Sequence, residues 1–174
     1  GHGKNRLGGS ALAYVFNELG SSPPNLEHAT SLKKFFAAIQ AMQARGLLLA
    51  YHDRSDGGLW ATLCEMAFAG RTGIDVNVGI LDADPFRALF AEELGAVIQV
   101  RAIDRAAVES LLAAHDLQTI SHPVGSVTSD KQIRIRTNRS IIIERKLLDL
   151  YAHWTENTHQ IQRLRDNPAC ADQE

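Results

Sequence analysis

The feature that most constrains the fold of this 174-residue chain is an abrupt change of pattern in its first third. Leu47 to Ala50 is an unbroken apolar run, and Leu59 to Phe68 repeats apolar residues at helical spacing. Between them stand Tyr51, His52, Asp53, Arg54, Ser55, Asp56, Gly57 and Gly58. A buried strand, a tight turn and a helix start satisfy both halves. The turn then concentrates two carboxylates, one hydroxyl and two glycines. In one reading it is a ligand site. A carboxylate can hold Mg²⁺ through oxygen, the hydroxyl and helix-start amides can meet phosphate oxygens, and the glycines let backbone approach a ligand closely. In the other reading Ser55 or Asp56 caps the helix and Gly57-Gly58 makes the turn.

Around this turn the chain alternates helical and extended patterns. Ser10 is placed to cap a helix from Ala11 to Leu19, which Ser21-Ser22-Pro23-Pro24 breaks. A second helix is expected from about Glu27 to Arg45, with Leu32, Phe35, Phe36, Ile39 and Met42 as its apolar stripe and Gly46 at its end. Leu47 to His52 reads as a buried strand. Leu59, Leu63, Met66 and Ala67 line the third helix, stopped by Gly70. Ile74, Val76 and Val78 alternate with Asp75 and Asn77, the pattern of a half-buried strand. Pro85 suits the first turn of a short helix to about Glu92. Leu94 to Val100 reads as a central strand, and Asp104 as the cap of a helix to about His115, with Val108, Leu111 and Leu112 inward. Short strands follow at Ile120 to Val127, Gln132 to Arg136 and Ser140 to Glu144, with a hairpin expected around Ser129-Asp130-Lys131. Leu147, Leu148, Tyr151 and Trp154 keep a helical period, after which Thr155 to Glu174 turns polar, with too few apolar residues for a core of its own. The expected class is α+β, a mixed β-sheet covered by helices.

Composition narrows the function. A net charge of −2 offers no basic field to nucleic acid or anionic membrane. No apolar stretch approaches the length of a membrane span. The chain begins with Gly1 rather than Met and opens into a glycine-rich loop, which suggests a fragment or processed product. Cys64 falls inside an apolar helix and Cys170 in a polar tail, so a structural disulfide is not expected and a reducing cytosol fits. The seven histidines show no His-Glu-x-x-His spacing.

Other candidates are weaker. His52 is either an acid or base beside Asp53 or a strand-end histidine bonded to backbone. Glu92 and Glu93 sit at a helix end against the dipole. They serve either as hydrogen-bonding partners of a neighbouring loop or as an exposed terminus. Gly1 to Ser10 is glycine-rich and basic but lacks the ending of a P-loop. Arg134, Arg136, Arg139 and Arg145 read as a solvated strand face. No Gly-x-Ser-x-Gly elbow or Cys-His pairing marks a nucleophile.

The run Leu47 to Leu59, with Glu65 to Gly70, Gly73-Ile74-Asp75, Glu92 to Val100 and the tail from Gln162 to Glu174, resembles phosphoribosylformylglycinamidine synthase in its large single-chain bacterial form. The opening segment Gly1 to Ser10 is similar to the entry into the last synthetase subdomain of that family. The resemblance implies a fold like the C-terminal domain of aminoimidazole ribonucleotide synthetase over 1–150, and a linker or docking arm toward a glutaminase domain over 151–174. It implies a cytoplasmic enzyme of purine biosynthesis that turns formylglycinamide ribonucleotide, glutamine and ATP into formylglycinamidine ribonucleotide, glutamate, ADP and phosphate. Within it Asp53 would be a Mg²⁺ ligand and Ser55 a nucleotide contact at an auxiliary ATP/ADP site, with no catalytic residue in this segment. The expected partners are the other synthetase subdomains, the glutaminase domain and small-molecule substrates. The alternatives are a structural brace without catalysis, or another ATP-dependent member of the same superfamily.

Overall fold

A computed structural model describes residues 3–173; Gly1, His2 and Glu174, which belong to the opening loop and the tail read above, lie outside the described residues. The architecture is α+β, with a four-stranded mixed sheet, a two-stranded sheet and helices packed on both.

The first helix, α1 (Ala11–Val15), is capped as expected: the Ser10 hydroxyl accepts from the Ala13 N–H. It stops four residues short of Leu19. Tyr14, Val15, Phe16 and Leu19 are all exposed, so no packing propagates the helix. The second, α2 (Ala29–Ala44), ends where Gly46 takes a left-handed conformation. Its buried face is Ala38 and Met42, with Phe35 and Ile39 half-buried. Two members of the expected stripe, Leu32 and Phe36, face outward.

β1 (Leu48–Asp53) pairs antiparallel with β3 (Ala96–Val100), and the two form a sheet of their own. Neither is the buried or central strand that its apolar run suggests. Leu49 and Tyr51 point outward, alternating with half-buried Leu48, Ala50 and His52. With only one partner strand each, both have an open edge.

α3 (Gly58–Gly70) is the central helix. Leu59, Leu63, Cys64, Ala67 and Phe68 are buried, and Met66 is half-buried. Gly70 is still helical. Arg71, at φ 50°, takes the left-handed place that ends the helix, and the Arg71 and Thr72 N–H groups bond back to Phe68 and Ala67. α3 leads into β2 (Gly73–Asn77), whose buried Ile74 and Val76 match the expected alternation.

α4 (Pro85–Phe90) has Asp84 as its cap and ends before the two glutamates, so Glu92 and Glu93 lie beyond the helix rather than in its last turn. α5 (Arg105–Ala114) buries Val108. Asp104 stands at its start but makes no capping bond, because its carboxylate is paired with Arg101. The expected strand from Ile120 shrinks to β4 (Gly125–Thr128), preceded by a 3₁₀ turn at Gln118–Ile120.

β5 (Gln132–Arg136) and β6 (Ile141–Lys146) complete a sheet of order β4-β2-β5-β6. This order overturns the hairpin expected at Ser129-Asp130-Lys131. β2 fills the slot between β4 and β5, setting Ile74 opposite Ile133 and Val76 opposite Ile135 in parallel register. That pairing joins four apolar residues in one core, which a direct β4–β5 ladder would not. The antiparallel hairpin is β5–β6. Arg134 and Arg136 are ion-paired to Asp130, Glu144 and Asp75 on this sheet, as a solvated strand face requires.

The chain closes with α6 (Leu147–Arg165), which runs through position 151 without a break, and α7 (Pro168–Ala171). Tyr151 and Trp154 stack on each other, and Phe68 of α3 meets Tyr151 edge-on and Trp154 at a tilt, with ring centroids 5.5 to 5.9 Å apart. The core has two parts. One gathers α3, α4, β2, β5 and Leu147; the other joins α2, Leu47, α5 and Leu117. The small sheet spans them, since Val97 packs on the first and Ile98 and Val100 on the second.

Candidate functional site

The turn between β1 and α3 is built from its backbone outward. The β1–β3 ladder runs one step past Asp53, with the Arg54 N–H donating to the Gly95 carbonyl at 2.8 Å. The Arg54 guanidinium donates through Nε to the Glu93 carbonyl at 2.7 Å. Burial pushes the Arg54 pKa down, against the opposing pull of Glu93. On the helix side Gly57 has φ 78° and Gly58 φ 64°, both in the left-handed region. A Cβ at Gly58 would lie 2.7 Å from the Leu89 carbonyl oxygen and 2.9 Å from Phe90 backbone. Only glycine lets α3 begin this close to α4. Inside the turn the buried Thr62 hydroxyl reaches the Gly58 carbonyl at 3.0 Å and the Asp53 carbonyl at 3.3 Å.

This frame leaves oxygen donors outside. Asp53, Ser55 and Asp56 are exposed, the Asp53 side chain at 70%. Neither the Asp53 carboxylate nor the Ser55 hydroxyl makes a hydrogen bond among the described residues; His52 Nδ1 lies 3.9 Å from the Asp53 carboxylate. Ser55 and Asp56 do not cap α3. The N-cap position of α3 is Gly57, which has no side chain to cap with, and the Gly57 N–H is taken by Glu92 Oε1 at 2.8 Å.

His52 is committed at both ring nitrogens. Nδ1 lies 2.7 Å from the Asp53 carbonyl and Nε2 lies 2.8 Å from Glu65 Oε2. Trp154 Nε1 donates to the other Glu65 oxygen at 3.3 Å. This matches the backbone-bonded reading of His52 and leaves no ring nitrogen facing a substrate.

The pair Glu92-Glu93 joins three segments. Glu92 Oε1 also accepts the Ala11 N–H at 2.8 Å, so one oxygen binds the starts of α1 and α3. Glu93 accepts from Arg6 three times, from the backbone N–H at 3.1 Å, Nε at 2.7 Å and Nη2 at 2.8 Å. Its side chain is 1% exposed. Burial pushes this carboxyl up, but the Arg6 side-chain and backbone donors outweigh it and hold the pKa at about 2. Of the two readings of these acids, the structure shows the loop-binding one.

The glycine-rich opening is correspondingly engaged. Lys4 is paired with Glu27, whose pKa that hydrogen bond lowers. Arg6 serves Glu93 and Glu27, and Asn5, buried at φ 46°, donates to Asp82 and the Leu81 carbonyl. Lys4 and Arg6 are neutralised by protein carboxylates, so among the described residues the loop acts as a latch. Arg54 carries no signal specific enough to single it out in the sequence, while the doubled glycine and the dipole-opposing acids are visible there.

Mg²⁺ keeps several waters and is held by one or two carboxylates plus phosphate oxygens. No cluster of three or more His, Cys, Asp or Glu able to hold a metal exists among the described residues. Asp53, with Asp56 three positions on, offers carboxylate oxygens of the type such an ion takes, but not a complete ligand set. The acids around the turn, Asp53, Asp56 and Glu92, disfavour direct phosphate contact and favour contact through a cation.

A family model described as AIR synthase related protein, C-terminal domain, matches residues 1–138. Similar solved structures include Thermotoga maritima PurL complexed with FGAR, at 18% identity and TM-score 0.60, covering 68% of this chain and 20% of that one. The same protein complexed with ATP matches at 18% identity and TM-score 0.58, covering 67% and 21%. Complexed with ADP it matches at 16% identity and TM-score 0.60, covering 74% and 25%. The chain thus spans a fifth to a quarter of the length of these proteins, and at such identity the likeness is one of fold.

Proposed function

Because the chain belongs to the AIR synthase related protein, C-terminal domain family, we propose that it is the segment of a purine-pathway, ATP-dependent ligase that completes a Mg²⁺-nucleotide site. The reaction is the conversion of formylglycinamide ribonucleotide to its amidine with glutamine as amide donor. The segment is the C-terminal subdomain of the second synthetase-like half of a cytoplasmic single-chain enzyme. The other synthetase subdomains and the glutaminase domain are its partners in that enzyme. The nucleotide site it serves is auxiliary to catalysis.

The observation that carries this reading is the exposed oxygen set on a fixed turn. The Asp53 carboxylate and the Ser55 hydroxyl have no hydrogen-bonding partner among the described residues, while the backbone on both sides is pinned. A plain helix cap would have turned Ser55 or Asp56 inward to the α3 amides. Asp53 would hold the Mg²⁺ by its carboxylate, and Ser55 would donate its hydroxyl to a phosphate oxygen. The cation, when bound, neutralises phosphate charge beside an acidic turn. Solved structures of a fold relative with FGAR, ATP and ADP support the substrate and nucleotide classes.

The test uses the intact polypeptide that carries this segment, with and without Asp53→Ala. Bound ADP and Mg²⁺ are quantified after purification, together with glutamine-dependent amidine formation. The expected result is loss of bound ADP and a less stable protein, with a smaller effect on the chemical step. Full ADP retention with normal turnover would reduce the segment to a structural brace.

A further inference from the structure

We propose that Glu92 is the positioning residue of the Asp53–Ser55 turn, acting through the Gly57 amide; this rests on the reading of that turn as a Mg²⁺-nucleotide site. Three bonds tie the turn to the segment 92–95. Two of them come from Arg54, through its N–H to Gly95 and its Nε to the Glu93 carbonyl. The third is Gly57 N–H to Glu92 Oε1. Ser55 and Asp56 therefore hang between an Arg54 anchor and a Gly57 anchor, and a single side-chain atom supplies the second.

The choice of atom matters because Gly57 sits at φ 78°. Its peptide orientation decides where Ser55 and Asp56 project before the chain enters α3. The neighbouring Gly58 N–H returns to the Ser55 carbonyl at 2.9 Å, so a rotation at Gly57 is passed directly to Ser55. The same Glu92 oxygen accepts the Ala11 N–H at 2.8 Å, a second bond that holds the carboxylate in place. Glu92 also fills the anion position at the start of α3, favourable in the field of that helix. A nucleotide phosphate is thereby kept off the Gly57 amide and left to the Ser55 hydroxyl and a cation on Asp53. Glu92 touches neither, and its role is geometric.

Length and acceptor identity then matter more than charge. Glu92→Gln keeps the reach and a carbonyl oxygen for both amides but loses the charge. Glu92→Asp keeps the charge but is one methylene too short to meet both amides. In the intact polypeptide, the rate at which bound ADP is lost in excess Mg²⁺ is measured well below the melting temperature of each variant, with Asp53→Ala alongside. We expect Glu92→Gln within threefold of the parent and Glu92→Asp at least tenfold faster. If Glu92→Asp stays within threefold, or Glu92→Gln loses ADP as fast as Glu92→Asp, the positioning role is wrong. The control separates the two levels. Asp53→Ala retaining ADP like the parent overturns the ligand site itself. Asp53→Ala losing ADP while Glu92→Asp retains it overturns only the role of Glu92.

Discussion

Replacing Glu93 with glutamine tests the internal logic of the latch. The Glu93 carboxyl is 1% exposed, and three donors of Arg6 hold its pKa at about 2 against an ordinary 4.5. Because the folded value lies below the unfolded one, the carboxylate stabilises the fold fully above pH 4.5. That contribution is lost as pH falls from there through about 2. The difference corresponds to about 3 kcal/mol at neutral pH. Glu93→Gln keeps the shape and one acceptor but leaves the Arg6 guanidinium without its buried counter-charge, so a loss of about 2–3 kcal/mol is expected at pH 7. With a urea slope of about 2 kcal/mol per molar, the midpoint moves down by about 1–1.5 M. Urea titrations followed by tryptophan fluorescence at pH 7 and pH 3 read this directly. Asp82 and Asp130 are also held below the ordinary carboxylate value, Asp82 by the Asp84 N–H and Asn5 and Asp130 by Thr128 and Arg134, so the diagnostic quantity is the gap between parent and variant. That gap should shrink at pH 3. A gap that is the same at both pH values, or a loss under about 0.5 kcal/mol at pH 7, would show that Arg6 and Glu93 do not hold the opening loop as argued.

Two further outcomes follow from the packing. Gly58→Ala puts a Cβ 2.7 Å from the Leu89 carbonyl oxygen at φ 64°, so a loss of about 3 kcal/mol or more is expected on thermal or urea unfolding; a variant as stable as the parent would refute the close α3–α4 approach. Cys64 is buried with its thiol pushed up to about 12, first by burial and then by Glu65, whereas Cys170 is exposed; iodoacetamide at pH 8 should modify one cysteine per folded chain and two after denaturation, read by mass spectrometry.

Much of the fold was legible because period carries most of the signal. The alternation of Ile74, Val76 and Val78 located β2, and Gln132 to Arg136 located β5 to the residue. The misreadings share a cause. Leu47 to Ala50 is as apolar as a central strand, but continuous hydrophobicity does not say whether the neighbours that would bury it lie in the same segment. Here Leu49, Tyr51 and Phe36 remain exposed on one side of the small sheet. The hairpin at Ser129 failed for a related reason. A short polar connection is compatible with two adjacent strands and equally with two strands holding a third between them. Only the long-range match of β2 with β5 decides between these arrangements.

The site divides in the same way. Asp53 and Ser55 announce themselves by residue type and by their place between strand and helix. What holds them does not, because its parts come from segments far apart in sequence. Gly57 meets Glu92 across 35 positions and Arg6 meets Glu93 across 87. The two acids looked misplaced only while they were read as the end of their own helix. Against α1, α3 and the opening loop they are carboxylates placed where free amides and a guanidinium require them. The local penalty seen in the sequence was thus a sign of a non-local gain. The exposed oxygens of Asp53 and Ser55 stay available because the amide at the start of α3 already has its acceptor, supplied from another segment of the chain.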